Sequence, residues 1–319
     1  MSAVVFAYHD VGCLGLRVLH RLKIPVAAVY THADDPTENT WFGSVRRTCE
    51  ELKLPVHVGA DPNSEGERAK IAKLKPAAFF SFYFRDLLKQ PLLAIPKHGG
   101  VNLHGSLLPR YRGRAPVNWQ LLHGETRSGA TLHYMVKRAD AGDVVDQEPF
   151  EIGPDDAPTD VFKKLLPAAE LVLSRSAPAV MDGSAPRILQ LESNATTFGR
   201  RTPADGLIHW RMAAHDVRNL VRAVTEPYPG AVTYTSGGRR IMVWWADFVP
   251  EAPRSAREPG TIEWSGAPGE APRVVCGDRR RLRLSRFTIE AEGGNAAAID
   301  AREFLRDGAV LGPGTSPAN

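Results

Sequence analysis

Three side chains of this 319-residue chain have the types needed to catalyse attack of an amine on a carbonyl group. Asn102 and His104 are separated by one residue, and Asp140 precedes Ala141-Gly142-Asp143 farther along the chain. An amide can donate hydrogen bonds to the oxyanion that forms on a carbonyl under attack, while an imidazole transfers protons. A carboxylate beside the imidazole orients the ring and favours its charged form.

The segment that carries the amide and the imidazole reads as the end of a strand. Val101–His104 follows two glycines and alternates apolar and polar residues. Residues i and i+2 of a strand point to the same face, roughly 6–7 Å apart, so Asn102 and His104 share one side. By themselves these residues equally fit a strand end with two solvent-facing polar groups. Asp140 before Gly142 likewise fits an ordinary turn.

The first half of the chain alternates predicted strands and helices. Ala3–Tyr8, Pro25–Tyr30, Val56–Val58, Ala77–Tyr83 and Val101–His104 read as strands, and the segments between the first four as helices. This alternation predicts a doubly wound, mostly parallel α/β sheet. Ligands bind such sheets at the carboxyl ends of the strands, where His104 and Asp140 are expected.

The second half of the chain changes character. The apolar spacing of residues 157–181 predicts a long helix, interrupted or kinked near Pro167. Short strands punctuated by Gly and Pro follow from Gly230 onward and predict a small β-barrel or sandwich. We therefore expect a catalytic domain over residues 1–200, a barrel domain over 201–306 and a disordered tail over 307–319.

The order of these motifs resembles the formyltetrahydrofolate-dependent formyltransferase family. The resemblance is carried by Asn102-Leu103-His104, by Ser106–Gly113 (Ser-Leu-Leu-Pro-Arg-Tyr-Arg-Gly) and by Asp140 before Ala141-Gly142-Asp143. A narrower likeness, to the branch that includes the formyltransferase part of the bifunctional polymyxin-resistance protein, is carried by the runs Val4–Asp10, Gly12–Gly15, Thr31-His32, Ser81–Tyr83 and Phe198–Pro203. This likeness spans roughly residues 1–250.

The resemblance implies a Rossmann-like catalytic fold followed by an OB-like barrel. It also implies 10-formyltetrahydrofolate as co-substrate and Asn102, His104 and Asp140 as catalytic residues. The residues that it assigns to folate are these: Asp86, Leu87, Leu88, Arg114, Val136, Lys137, Arg138, Ala139 and Asp140. Where this chain has Asp86-Leu87-Leu88, the sugar-modifying branch has His-Leu-Ile, a change that recognition through the backbone would tolerate.

The amine acceptor is less well determined by the sequence. The branch implies a nucleotide-linked amino sugar, UDP-4-amino-4-deoxy-L-arabinose, and a role in lipid A modification and antibiotic resistance. Arg200-Arg201 and Arg222 are candidates to bind its diphosphate. The alternatives are a methionyl-tRNA formyltransferase, a hydrolase that releases formate, and a non-catalytic folate-binding module. The acidic Asp34-Asp35 loop, short where the tRNA branch carries a longer basic one, weighs against tRNA.

Composition limits the other classes of function. The chain has 40 basic and 36 acidic residues, a net charge of +4, which is too small a bias to indicate nucleic-acid binding. The three cysteines form no C-x-x-C pair, and the histidines lack metal-ligand spacing, so we expect no metal. The apolar run Ala3–Tyr8 is too short for a signal or membrane segment, so we expect a cytoplasmic protein without membrane insertion.

Overall fold

The computed structural model describes residues 1–34, 39–250, 252–265, 270–290 and 301–312. The chain forms two compact units. The first unit comprises residues 1–117, 126–152 and 160–199, and the second comprises 118–125, 153–159 and 200–319. Two short segments of the predicted catalytic domain thus belong to the second unit.

The first unit is built on a seven-stranded, mostly parallel sheet. Its strands in spatial order are β3 (Val56–Val58), β2 (Val26–Thr31), β1 (Ala3–Ala7), β4 (Ala78–Phe82), β5 (Gly100–His104), β7 (Arg127–Tyr134) and β8 (Val144–Glu151). The five strands from β3 to β5 run parallel, and β7 and β8 run antiparallel to their neighbours. The Rossmann-like prediction is confirmed, with an antiparallel pair at one edge.

The central strands are long apolar runs because they are buried on both faces. Every residue of β1 and β4 is buried. The helices in the same stretch of the chain are α1 (His9–Arg21), α2 (Val45–Leu52), α3 (Glu65–Lys73), α4 (Gln90–Leu93), α5 (Pro116–Leu122) and α6 (Pro158–Asp182), and most of α5 belongs to the second unit. Helix α6 matches the predicted long helix and continues through Pro167 and Pro178 without interruption.

A two-stranded parallel ladder joins distant parts of the first unit. Strand β6 (Arg112–Gly113) pairs with β9 (Thr197–Phe198), and the Tyr111 and Phe198 rings stack 5.1 Å apart. Gly113 has a φ of 96°, and a Cβ there would lie 2.2 Å from the Phe198 carbonyl oxygen, so only glycine allows this approach. The loop that follows β5 is thereby tied to the segment that follows α6.

The second unit contains a five-stranded antiparallel sheet. Its order is β10 (Ala231–Tyr234), β11 (Arg240–Phe248), β14 (Arg281–Ile289), β13 (Arg273–Val275) and β12 (Ile262–Glu263). Helix α7 (Ala214–Val224) packs Val217, Leu220 and Val221 into the core of this sheet. The chain continues with α8 (Ala301–Phe304). The expected antiparallel β-domain is confirmed.

The predicted disordered tail begins too early. Leu311 donates its backbone N–H to Gly260 O, and Gly312 and Tyr234 exchange two backbone hydrogen bonds. Residues 309–312 therefore add to the antiparallel pairing of the second unit, because their backbone groups find partners on its strands. Residues 313–319 lie outside the described part of the chain.

Candidate active site

The structure brings Asn102, His104 and Asp140 together. Asn102 and His104 lie on the same face of β5, as their spacing predicts, with Leu103 buried behind them. The Nδ1 atom of His104 lies 3.7 Å from Oδ2 of Asp140. Its Nε2 lies 2.7 Å from the carbonyl oxygen of Tyr111 and donates to it. The imidazole thus faces an oxygen acceptor with each nitrogen.

Asp140 reaches this site by a route that the sequence did not predict. Because β7 is antiparallel to β5, Tyr134 at the end of β7 pairs with Val101 at the beginning of β5. The carboxyl ends of the two strands therefore lie at opposite ends of the strand pair, and the expectation that these ends meet is wrong. The β7–β8 loop instead folds back, and Asp140 adopts a left-handed φ of 52° that asparagine and aspartate tolerate better than most residues.

Contacts on both sides of Asp140 hold it in this conformation. Its Oδ2 accepts a hydrogen bond from the backbone N–H of Gly113 at 2.7 Å. Its carbonyl oxygen accepts from Nε2 of Gln190 at 2.8 Å, and the same amide donates to the Gly142 carbonyl at 2.7 Å. Oε1 of Gln190 in turn accepts from Nε and Nη2 of Arg112. Arg112 is fully buried, so this support is rigid.

The environment of Asp140 keeps its carboxyl group ionised. Burial alone would raise its pKa, but the charge of His104 and the hydrogen bond from the Gly113 N–H act in the opposite direction. The pKa of Asp140 therefore lies well below its usual value. A carboxylate that stays charged beside His104 is suited to orient the ring and to stabilise its protonated form.

His133 is a further member of this group that the sequence analysis missed. It lies on β7, opposite Asn102 in the strand register, and is only 1% exposed. Its Nε2 lies 3.1 Å from Nδ2 of Asn102 and 3.3 Å from Oδ1 of Asp140. In the sequence, His133 is a polar residue within an apolar strand. Its partner Asn102 follows only from the register in which β5 and β7 pair.

The residues predicted to bind folate lie in three separate segments of the chain, residues 86–88, 114 and 136–140, and their side chains differ in exposure. Leu87 and Val136 are 69% and 44% exposed. Arg114 donates through Nη2 to the Arg85 carbonyl at 2.8 Å, which links two of the segments. Asp86 is exposed with its carboxylate 4.0 Å from His32, and Lys137 and Ala139 lie on the β7–β8 loop beside Asp140.

Two of these folate candidates have structural contacts of their own. The side chain of Leu88 packs in the core against strands β1 and β4, so only its backbone is open to a ligand. Arg138 forms an ion pair with Glu192 at 3.0 Å.

The arginines considered for a diphosphate have internal partners. Arg222 is 5% exposed and donates to the side chain of Asn219 and to the Gly153 carbonyl, so its predicted role is wrong. Arg201 lies 4.9 Å above the Trp119 ring and donates to the Asp205 carbonyl.

Within the described residues, no three His, Cys, Asp or Glu side chains cluster as metal ligands, and no helix is long and apolar enough to cross a membrane.

The chain matches the models of a known protein family over most of its length. A family profile described as formyl transferase matches residues 14–176, just over half of the chain, and the formyl transferase C-terminal domain matches residues 200–307. The chain belongs to the formyl transferase family. The residues that carried the sequence resemblance, Asn102, His104 and Asp140, all lie within the first match.

Several solved structures are similar to this formyltransferase in fold. WlaRD, a sugar 3N-formyl transferase crystallised with dTDP and 5-N-formyl-THF, is 16% identical, with a TM-score of 0.68 over 90% of this chain and 98% of that one. An N-formyltransferase from Helicobacter canadensis, in complex with folinic acid and dTDP-3-aminofucose, is 17% identical, with a TM-score of 0.68 over 89% and 98%. A sugar N-formyltransferase from a Shewanella species is 16% identical, with a TM-score of 0.61 over 76% and 95%.

Proposed function

We propose that this formyltransferase transfers the formyl group of 10-formyltetrahydrofolate to the primary amine of a nucleotide-linked amino sugar. The observation that carries the proposal is the grouping of Asn102, His104 and Asp140 within hydrogen-bonding or ionic reach of one another. The similar structures crystallised with folate derivatives and dTDP or a dTDP-linked amino sugar support this choice of substrates.

The chemistry assigns separate tasks to Asn102 and His104, and Asp140 orients the His104 ring and stabilises its protonated form. The neutral amine attacks the formyl carbon, and Asn102 donates an N–H to the oxygen, which becomes an oxyanion. One such donor is worth roughly 3–4 kcal/mol. His104 moves the proton from the attacking nitrogen to the leaving folate nitrogen, a contribution of about 10²–10⁴-fold. Its Nδ1 suits this task because 3.7 Å to Asp140 exceeds normal hydrogen-bonding distance.

The favoured acceptor is UDP-4-amino-4-deoxy-L-arabinose, which would place the enzyme in lipid A modification and antibiotic resistance. This finer assignment rests on the sequence runs shared with the sugar-modifying branch of the family. The acidic loop weighs against the tRNA branch, although its residues 35–38 lie outside the described part of the structure.

The charge distribution of residues 190–319 also weighs against methionyl-tRNA. Residues 190–319 contain 17 arginines and no lysine, against 15 acidic residues. Within the described residues, nine of these arginines form ion pairs with acidic side chains, namely Arg218–Asp155, Arg240–Glu290, Arg257–Asp307, Arg273–Glu270, Arg279–Glu258, Arg280–Asp278, Arg281–Glu263, Arg283–Asp247 and Arg286–Glu226. Paired arginines contribute little to counterion release from a phosphate backbone.

A competition assay tests the acceptor. The enzyme is offered 10-formyltetrahydrofolate with UDP-4-amino-4-deoxy-L-arabinose, with dTDP-linked amino sugars and with methionyl-tRNA, and the products are identified by mass spectrometry. We expect formylation of a nucleotide-linked sugar, with the UDP-arabinose derivative used best. Formylation of the tRNA alone would refute the sugar proposal. Binding of folate with no formylation of any amine would favour the binding module.

A further inference from the structure

His133 is buried between two of the three catalytic candidates, and each of its ring nitrogens faces a polar group. Nδ1 lies 3.0 Å from the carbonyl oxygen of Tyr134, whereas Nε2 faces Nδ2 of Asn102 at 3.1 Å. Asp140 Oδ1 approaches the same Nε2 to 3.3 Å, and the His104 ring centroid lies 6.3 Å from that of His133.

These contacts determine which nitrogen of His133 carries a hydrogen. A backbone carbonyl can only accept, so Nδ1 holds the hydrogen and donates it to Tyr134. In the neutral ring Nε2 then has only a lone pair, and it accepts an N–H from the Asn102 amide. One end of the Asn102 side chain is thereby fixed, because an acceptor selects the NH₂ group over the carbonyl oxygen.

We propose that His133 is a positioning residue for formyl transfer, which acts by fixing the end of the Asn102 amide that faces the formyl oxygen. This inference rests on the proposed function. Asn102 is half-buried, so with its first hydrogen on His133 the amide nitrogen keeps a second hydrogen available for the formyl oxygen. A flipped amide would present its oxygen to the developing oxyanion and repel it.

A role of His133 through Asp140 is the competing route, and the geometry favours Asn102. A single ring nitrogen cannot accept from Asn102 and donate to Asp140 at the same time. The contact with Asn102 is the shorter of the two, and with its hydrogen on Nδ1, bonded to the Tyr134 carbonyl, the neutral ring has none on Nε2 to donate to Asp140. Replacement of His133 should therefore have little effect on kcat once Asn102 has been removed, but should still lower kcat when Asp140 has been removed.

A double-mutant cycle separates these routes. The variants are His133→Leu, which has no acceptor, His133→Gln, whose amide oxygen can still accept from Asn102, Asn102→Ala, Asp140→Ala, and His133→Leu in the Asn102→Ala and Asp140→Ala backgrounds. We expect His133→Leu to lower kcat by roughly 10- to 100-fold while KM for 10-formyltetrahydrofolate changes less than about threefold. His133→Gln should retain most of the kcat.

In the Asn102→Ala background, we expect His133→Leu to lower kcat by less than about twofold. An equal loss in the presence and absence of Asn102, or a near-normal kcat for His133→Leu, would overturn the proposal. If His133→Leu does not fold, His133→Gln decides alone: a folded variant with a loss as large as that of Asn102→Ala also overturns it.

The cycle does not depend on the identity of the amine acceptor. It can be measured with any amine that the wild-type enzyme formylates. It can also be measured on hydrolysis of 10-formyltetrahydrofolate, in which water attacks the formyl carbon and the products are formate and tetrahydrofolate. A failure to formylate nucleotide-linked sugars would therefore refute the proposed acceptor and leave the role of His133 separately testable.

Discussion

The backbone N–H of Gly113 donates to Oδ2 of Asp140 across 2.7 Å, although Gly113 lies on β6, in the segment after β5, and Asp140 on the loop after β7. This bond joins the loop after β5 to the loop after β7, and so places the carboxylate beside the imidazole of His104. Both loops also depend on the segment after α6, since β9 pairs with Gly113 and Gln190 binds the Asp140 carbonyl. Residues well outside the candidate catalytic trio thus control its geometry.

Gln190 offers a direct test of that control. Gln190→Glu keeps an oxygen for the buried Arg112 but removes both N–H donors to the Asp140 and Gly142 carbonyls. We expect kcat/KM to fall roughly 10- to 100-fold, because small displacements of catalytic groups carry penalties of this size. Steady-state kinetics and thermal melting measure the two effects.

The neighbouring Leu191→Ala provides the control, because that side chain is 67% exposed. Its activity and melting temperature should match those of the wild type. If Gln190→Glu also retained wild-type activity, the support that Gln190 gives to Asp140 would be irrelevant to catalysis.

His9 should make the fold sensitive to acid. Its ring is 8% exposed and packs against Phe42 and Phe162, and burial, opposed in part by Asp10, lowers its pKa to about 4 from an ordinary 6.5. The unfolded chain therefore binds a proton at a higher pH than the native state. The corresponding stability is complete above pH 6.5 and is lost as the pH falls toward 4.

His9→Asn removes this titration and is compatible with the left-handed φ of 66° at position 9. Relative to this variant, we expect the wild type to lose about 3 kcal/mol more unfolding free energy between pH 7.5 and pH 4. Denaturant unfolding at several pH values measures the difference. The exposed His20→Asn is the control. Parallel pH curves for the wild type and His9→Asn would show that His9 is not buried as a neutral ring.

The exposed apolar residues Leu87 and Val136 should contribute to folate binding. Leu87→Asp and Val136→Asp should each weaken the binding of 5-formyltetrahydrofolate about tenfold, because each replaces apolar contact area with a charge that the ligand must desolvate. Calorimetric titration gives the Kd. Leu189→Asp is the matched control, since Leu189 is 81% exposed and lies outside the predicted folate segments. Equal Kd values for all four proteins would refute the assignment of both residues.

The sequence predicted local features of this site better than long-range ones. The spacing of Asn102 and His104 was sufficient to place them on one strand face, because the two-residue period of a strand is a local property. The alternation of apolar strands with helices predicted the parallel sheet for the same reason. The contact of Asp140 with His104 follows from the fold for a different reason than the predicted meeting of two carboxyl strand ends, because β7 runs antiparallel to β5 and the loop after it folds back.

Contacts that depend on register or on distant loops could not be read from the sequence. His133 meets Asn102 only because β7 is antiparallel to β5 and is paired in one particular register. Gln190 and Arg112 are 78 positions apart, and neither belongs to a recognisable motif pair. Arg222 appeared available for a phosphate, but the fold buries it against backbone carbonyls of residues 153 and 154.

The most direct test of the account is the rate of formyl transfer by the variants Asn102→Ala, His104→Ala and Asp140→Ala, measured under single-turnover conditions with 10-formyltetrahydrofolate. We predict that Asn102→Ala and His104→Ala bind the folate with near-normal affinity, and that all three variants transfer the formyl group at least about 100-fold more slowly than the wild type. A folded variant of His104 or Asp140 that transfers the formyl group at a near-normal rate would contradict the central claim that these side chains form the catalytic centre.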